Sequence, residues 1–502
     1  MHSKLPMIDK ISYGAGEFGC GIVFQAVASY LVFYTTSVLQ IPGSLVGLAV
    51  GISVVWDGIT DPIMGYISDR TRLRRLGRRH IYFLVGTISI ALTNYLLWIA
   101  NPDWPTMAKF FWIFVIVVLV KTSLTTFLTP HVALGAELTA DYNERTSIHG
   151  IRVIFFLGGI LFASVVGLAV FFRSTPEYPL GQLNPDAYKY FGMTSSILVL
   201  IFGLATFFLT IKYVPHLPRA EARDKDKVSL MNLLFARFKS ALSNKLFKYI
   251  VYGYLFTNIA SALAGTLGLH VFTYTFYLNN NGIAIVIGTL FVTSIASQPV
   301  WVVIARKIDK KPAITAGLVT ASAGCLLLLP AVFLRDAISG NFWYLLPFSL
   351  LTGFGSGGLF SIPNSMVADT IDIDEAVTGA RSEGLYYGTM TMAYKLSQSI
   401  AIMLLGVLLD VIGFNAALPA QRESTQTTLG LIMIVGGLLS FFLARMAYNK
   451  YDLDKTKFGI IQEQIRIRKK RVNEANVLET GGEIPVLSDI TLENPIKDLS
   501  GG

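Results

Sequence analysis

Two aspartates four residues apart stand inside an apolar run, Val54-Val55-Trp56-Asp57-Gly58-Ile59-Thr60-Asp61-Pro62-Ile63-Met64-Gly65. On a helix this spacing puts Asp57 and Asp61 on one face, with the Thr60 hydroxyl nearby. Two carboxylates held together away from water repel, so one takes up a proton unless a cation lies between them. The chemistry on offer is a hard-oxygen site for a small cation, or a pair that carries a proton. The plainer alternative is that Asp61 only caps or bends the helix beside Pro62. Lys395 sits well inside another apolar run, Tyr386 to Gln398, too deep for its ammonium to snorkel easily to an interface. A lone buried ammonium tends to lose its proton, so Lys395 needs a carboxylate, and the Asp57–Asp61 pair is the obvious candidate. Glu17, Lys121 and Arg152 are further charges within apolar runs, where a charge is costly and faces a cavity or a partner. His131 and His270 are either proton relays or packing residues.

The elements that carry these groups follow from composition. Of 502 residues, 53% are hydrophobic and 15% charged, against roughly 25% charged in soluble domains. Twelve apolar runs are centred near residues 25, 56, 90, 119, 161, 202, 262, 294, 323, 355, 398 and 438. Crossing a bilayer takes about 20 apolar residues in a helix, which satisfies its own backbone. A membrane barrel would alternate in short segments, and Phe111 to Val120 or Ile197 to Leu209 do not. The net charge of +9 gathers in alternate connections: Arg70–Arg79, Arg219–Lys248, Arg306–Lys311 and Arg445–Arg471. The intervening connections, such as Asn101–Thr106 and Asn279–Asn281, carry almost none. This positive-inside pattern puts both termini in the cytoplasm of a plasma membrane (the inner membrane in a bacterium) and argues against a nucleic-acid partner. The first ten residues are polar and the first apolar stretch is a full span, so no cleavable signal peptide is read. Cys20 and Cys325 both lie in spans, which implies no disulfide framework. No phosphate-cradling loop, metal-ligand cluster or nucleophile–base pattern points to an enzyme.

The expected architecture is an all-α membrane protein with a six-helix bundle over 1–214, a basic cytoplasmic linker over 215–246, a second six-helix bundle over 247–448 and a cytoplasmic tail over 449–502. Six and six spans around a charged linker outline the major facilitator fold, whose halves enclose a central cavity. The halves echo each other after their second spans, in Gly65-Tyr66-Ile67-Ser68-Asp69-Arg70 and Ala305-Arg306-Lys307-Ile308-Asp309-Lys310. In the tail, Phe458, Ile461 and Ile465 at helical spacing among cations suggest a helix on the inner membrane surface. Residues from Asn473 to Gly502 have the polar, acidic composition of disordered chain.

At these residues the chain resembles the glycoside–pentoside–hexuronide cation symporter family, which includes bacterial sugar permeases and animal sodium-coupled lysophospholipid symporters. The motifs are Ser12-Tyr13-Gly14-Ala15-Gly16-Glu17-Phe18-Gly19, the Trp56–Gly65 run, Ala133-Leu134 through Glu137, Asp141, Glu144 and Arg145, and Ala368-Asp369-Thr370-Ile371-Asp372 through Arg381, Glu383 and Lys395. The resemblance implies a monomeric secondary symporter that lies in the lipid bilayer and imports an organic solute with Na+ or H+. The solute expected first is a sugar or glycoside, with an amphipathic or lipid-like solute as the alternative and a sensor on a transporter fold behind both. It places the cation on Asp57, Asp61, Thr60 and Thr125, a lysine joining the halves on Lys395, and charge clusters closing the cytoplasmic side on Glu144, Arg145, Asp369, Asp372, Arg381 and Glu383. Glu17, Lys121, Arg152, Thr391 and Lys395 are the candidate solute contacts. The chain departs from the family's sugar pocket at Cys20, Gly21, Leu128, Val132 and Phe360, leaving Arg152 and Thr391. Lys121 has no counterpart in the family pattern. One helical turn before Thr125, it either stands in for part of the bound cation or binds an anionic group of the solute.

Overall fold

The computed structural model describes residues 5–73, 75–139, 141–217, 239, 241–378, 383–418, 420–460 and 462–463. Most of the linker, Arg381, and the tail from residue 464, including Asn473–Gly502, lie outside the described residues. The described chain folds into long helices: α1 Met7–Ser29, α2 Gly43–Arg70, α3 His80–Trp98, α4 Thr106–Glu137, α5 Tyr142–Leu161, α6 Pro185–Thr210, α7 Lys245–His270, α8 Asn280–Ile308, α9 Lys310–Phe333, α10 Leu346–Thr378, α11 Glu383–Val411 and α12 Glu423–Asn449. Among the described residues, eleven spans are long and apolar enough to cross a membrane, and α1 with its bent continuation, Leu31–Val38 at 45°, makes a twelfth.

The helices begin where short polar side chains satisfy free backbone N–H groups. Asp141, Asn184, Asn244, Asn279 and Asp309 each cap the helix that follows. The second bundle's first helix starts at Lys245, two residues ahead of the expected boundary. Prolines interrupt the backbone ladder inside α2, α4, α8, α9 and α10, at Pro62, Pro130, Pro299, Pro330 and Pro363.

The internal echo extends into conformation. Both α1 and α7 run into a π-helical turn, Tyr34–Val38 and Val271–Thr275, followed shortly by a residue with positive φ, Gln40 at 56° and Tyr277 at 51°. Near the basic loops, Arg79 pairs with Glu137 on α4 at 2.8 Å, and Lys310 with Asp369 on α10 at 2.6 Å. Each pair fixes a basic loop to the end of the fourth helix of its half.

Helices α1 through α6 pack as one group and α7 through α12 as another, and the seam between them runs chiefly along α2 against α11 and along the continuation of α5, Phe162–Gly167 and Leu168–Phe171, against α8. At the end remote from the termini the seam is sealed. Asp410 on α11 accepts from the backbone N–H groups of Gly43 and Ser44, at 2.7 and 2.8 Å, so a carboxylate of one bundle caps the positive helix end of the other. Thr36 Oγ1 lies 2.8 Å from His270 Nε2, Gln182 donates to Thr273, and Asn280 donates to the Leu168 carbonyl. One hydrophobic core crosses the seam here, from Phe33 and Leu39 to Phe272 and Phe276. Nearer the termini the second bundle has a core of its own around Phe247, Trp301 and Tyr448. The start of the tail docks on this end: Lys455 N donates to Asp309 at 2.8 Å, and Phe458 packs against that core. The expected amphipathic helix therefore begins as a protein contact.

Close helix approach depends on glycine. At the seam, a Cβ on Gly406 would stand 2.2 Å from the Gly43 carbonyl oxygen. Within the first bundle, a Cβ on Gly159 would meet the Phe18 carbonyl oxygen at 2.1 Å. Gly159→Val should therefore force α1 and α5 apart and destabilise the protein by roughly 1–3 kcal/mol. The effect is read as a lowered apparent unfolding midpoint of the purified protein in detergent, and an unchanged midpoint would contradict this packing.

Candidate functional site

The Asp57–Asp61 pair lies midway along α2, facing α4 and α11. Each carboxylate is held at both oxygens. The two Oδ1 atoms lie 2.9 and 2.8 Å from Thr125 Oγ1 on α4. The two Oδ2 atoms lie 2.9 and 2.5 Å from Lys395 Nζ on α11. The four-residue spacing on α2 brings the carboxylates side by side, and the α2–α11 packing brings the lysine to them across the seam.

Proton and charge counts show what this cluster can do. The Thr125 hydroxyl has one hydrogen but touches two carboxylate oxygens, so one contact lacks a donor unless a carboxyl is protonated or a cation joins the oxygens. Two carboxylates and one ammonium leave one negative charge, the complement of one proton or one monovalent cation. The Asp57 and Lys395 side chains are each 16% exposed and that of Asp61 36%, so a small cation can reach the pair. Thr60 bonds to its own helix, with Oγ1 donating to the Asp57 carbonyl at 3.3 Å. Lys121 is 8% exposed, with its ammonium 5.7 Å from the centre of the Phe24 ring. It lies within the field of Asp57 and Asp61, yet among the described residues it makes no ion pair.

A second charged cluster fills the first bundle. Glu17 Oε1 lies 2.9 Å from an Arg152 guanidinium nitrogen and 3.0 Å from His131 Nδ1. Glu17 is 2% exposed, and its partner Arg152, with a side chain 16% exposed, is the more accessible of the two. Thr391, on the Lys395 helix, is exposed and donates to the Tyr387 carbonyl at 3.1 Å. Val132 and Phe360 are 45% and 39% exposed.

Known proteins match this chain over nearly its whole length. The family model described as MFS/sugar transport protein matches residues 12–455. The chain belongs to that family. It is 27% identical to an uncharacterised symporter of Synechocystis sp., over 93% of this chain and 98% of that one. It is 23% identical to a putative glycoside/cation symporter of Escherichia coli, covering 94% and 98%. It is 21% identical to the sodium-dependent lysophosphatidylcholine symporter 1-A of Danio rerio, covering 95% and 91%. The crystal structure of a D-xylose-proton symporter superposes with a TM-score of 0.59 at 16% identity, covering 87% and 96%, a likeness of fold. The protein is a multi-pass membrane transporter of the major facilitator type and not an enzyme.

Of the expected gate acids, Glu144 and Asp369 make contacts within their own bundles. Glu144 accepts from Lys10 Nζ at 2.9 Å and from Leu5 N at 2.7 Å, and these contacts, the Lys10 hydrogen bond first, hold its carboxyl below the usual range. Asp369 is paired to Lys310. Asp372 and Glu383 lie on α10 and α11 and Arg145 near the start of α5. Asp410 escapes sequence reasoning, since it signals itself only as an acid at the end of a span, while the sequence offers His131 and Glu17 separately and does not show that they meet.

Removing Lys395 leaves two carboxylates facing each other. Lys395→Ala should cost roughly 3 kcal/mol, the low end for a buried pair because Asp61 is partly exposed. Adding Asp61→Asn to it should recover part of the loss. The check is a double-mutant cycle on apparent unfolding midpoints, and strictly additive losses would argue against the pairing.

Proposed function

We propose that the transporter is a symporter that imports an organic solute together with Na+ or H+ by alternating access. Asp57, Asp61 and Thr125 take the cation, and Lys395 holds its place when it is absent. The observation that carries this reading is the bracketing of two carboxylates by one hydroxyl and one ammonium, leaving a single unbalanced negative charge. With both termini in the cytoplasm, as the alternation of basic loops supports, the sealed end faces outward. The halves, 1–214 and 247–448, rock as monomeric units about the carboxylate–lysine contact. Coupling needs a cation and solute that favour the same states.

A sugar or glycoside is the first solute class, in line with the family description and the Escherichia coli relative. An amphipathic or lipid-like solute is the second, favoured by exposed Val132 and Phe360 and in line with the Danio rerio relative. A counterflow panel in proteoliposomes, with glycosides and lysophospholipids tested against Na+ and pH gradients, separates the two.

Asp57→Asn and Asp61→Asn should each abolish concentrative uptake of whichever solute the panel identifies, because a neutral amide cannot balance a dehydrated cation in low dielectric. Exchange without accumulation should survive. Full accumulation in both variants would retire the cation-site assignment.

Lys121 sets which cation wins. A unit charge about 8 Å from the bound ion opposes a second cation by on the order of 2 kcal/mol at an effective dielectric near 20. In wild type this favours H+ or loose Na+ coupling, and Lys121→Ala should tighten apparent Na+ affinity by roughly tenfold or more. Uptake against Na+ concentration and pH is the measurement. Unchanged Na+ dependence with a large loss of solute affinity would instead make Lys121 a contact for an anionic group of the solute.

A further inference from the structure

Both ring nitrogens of His131 face acceptors. Nε2 lies 2.8 Å from the Tyr13 carbonyl oxygen, and Nδ1 lies 3.0 Å from Glu17 Oε1. A backbone carbonyl has no hydrogen to give, so Nε2 carries one. A neutral imidazole then presents a lone pair at Nδ1, and an ionised Glu17 has only lone pairs to meet it. This contact is a hydrogen bond only if the pair holds one further proton, on Nδ1 or on Oε1.

The setting makes the contact costly to leave unmade. His131 is 0% and Glu17 2% exposed. The ring is stacked on Tyr13 at 4.2 Å and on Phe127 at 5.2 Å, with the Phe83 edge at 5.5 Å. The Tyr13 hydroxyl in turn donates to the His131 carbonyl at 2.8 Å. Held on three sides, the imidazole is fixed toward these two acceptors. Other titratable or charged groups within electrostatic reach of the pair are Tyr13 and Cys20 on α1, His80 on α3, and His149 and Arg152 on α5.

We infer that Glu17 and His131 form a proton-binding site, separate from the Asp57–Asp61 pair, and that the Arg152 guanidinium sets its affinity. Arg152 contacts the same Oε1 at 2.9 Å. Its positive charge opposes the shared proton: the triad is neutral without that proton and carries +1 with it. Arg152 is also the member a solute can reach, with a side chain 16% exposed and a buried Nε that has no hydrogen-bond partner among the described residues. An acceptor group of a solute that draws Arg152 away from Glu17 raises the proton affinity of the pair. By linkage, the bound proton then favours the solute to the same extent. That is the sign symport requires, and it holds whichever cation the carboxylate pair on α2 takes.

The proton itself is the probe. The full-length protein, carrying nitrogen-15-labelled histidine and reconstituted in lipid nanodiscs, has six histidines, and the His131 signal is the one lost in His131→Gln. Should that variant fail to fold, the signal is identified as the one Glu17→Gln displaces. At pH 7 we expect Nδ1 to be protonated or, with the proton on the carboxyl, an infrared band of a buried protonated acid that disappears in Glu17→Gln. Arg152→Gln should move the midpoint of proton release up by about one pH unit or more, and Arg152→Lys by less. Asp57→Asn should leave it in place. A neutral His131 with no protonated carboxyl band at pH 7, or a midpoint unmoved by Arg152→Gln, overturns the assignment. A midpoint displaced by Asp57→Asn overturns the separateness of the two sites.

Discussion

Lys395 reaches from α11 to two aspartates on α2, and taking three charges out of water together costs several kcal/mol per ion unless each finds its partners. Much else follows from meeting that cost. Helices α2 and α11 must come close enough for an ammonium to touch both carboxylates, and the approach of Gly406 to Gly43 permits it further along the same pair. Helix α4 must present a hydroxyl to the remaining oxygens, which Thr125 does. Even so the cluster retains one negative charge. That remaining charge, set beside the fixed charge of Lys121, is what the proposed coupling ion would balance.

The same helix pair is fixed twice, by Lys395 near its middle and by Asp410 at its sealed end. The two ties differ in kind. Asp410 binds backbone N–H groups at a helix start, and no cation is needed to satisfy it. Lys395 competes with any cation for the same carboxylate oxygens. On the proposed cation site, an arriving cation would weaken the central tie and leave the outer one intact. Each seam hydrogen bond contributes about 1 kcal/mol net, so the hydrogen bonds of the sealed end together contribute a few kcal/mol, beside the apolar burial of the core that crosses there. The matching π-turns after α1 and α7 and the matching loop ion pairs belong to the pseudo-repeat, and give the halves similar levers on either side of that seam.

The spans and the carboxylate pair are legible in the sequence because lipid makes charge conspicuous. Asp57, Asp61 and Lys395 stand out against apolar neighbours, and their mutual attraction follows from electrostatics alone. Partners drawn from different helices are less legible. Glu17 lies 114 residues from His131 and 135 from Arg152, and no periodicity relates them. His131 was open between relay and packing, and its surroundings are those of a packed aromatic whose two nitrogens nonetheless have specific acceptors. Lys121 was expected to reach toward the aspartates, but its ammonium lies over Phe24 without an ion pair among the described residues. The tail's Phe458 reads as a membrane-facing residue, because nothing local tells an apolar stripe whether lipid or protein will cover it.

The charges are unevenly divided between the halves. Asp57, Asp61, Thr125, Lys121, Glu17, His131 and Arg152 all belong to helices α1 to α5, whereas the second bundle contributes Lys395 to the carboxylate pair. On the proposed sites, a change of protonation or cation occupancy would arise in the first bundle and reach the second through the electrostatic pull on one ammonium, that of Lys395. A single lysine is enough for this, because in a low-dielectric seam the gain or loss of one charge beside it is worth several times a typical hydrogen bond. On the proposed division of labour, Lys395 is the second bundle's contribution to the coupling charge, and the exposed Thr391 and Phe360 are left free to differ with the solute. Relatives whose named solutes are as different as glycosides and lysophosphatidylcholine are in keeping with that proposal.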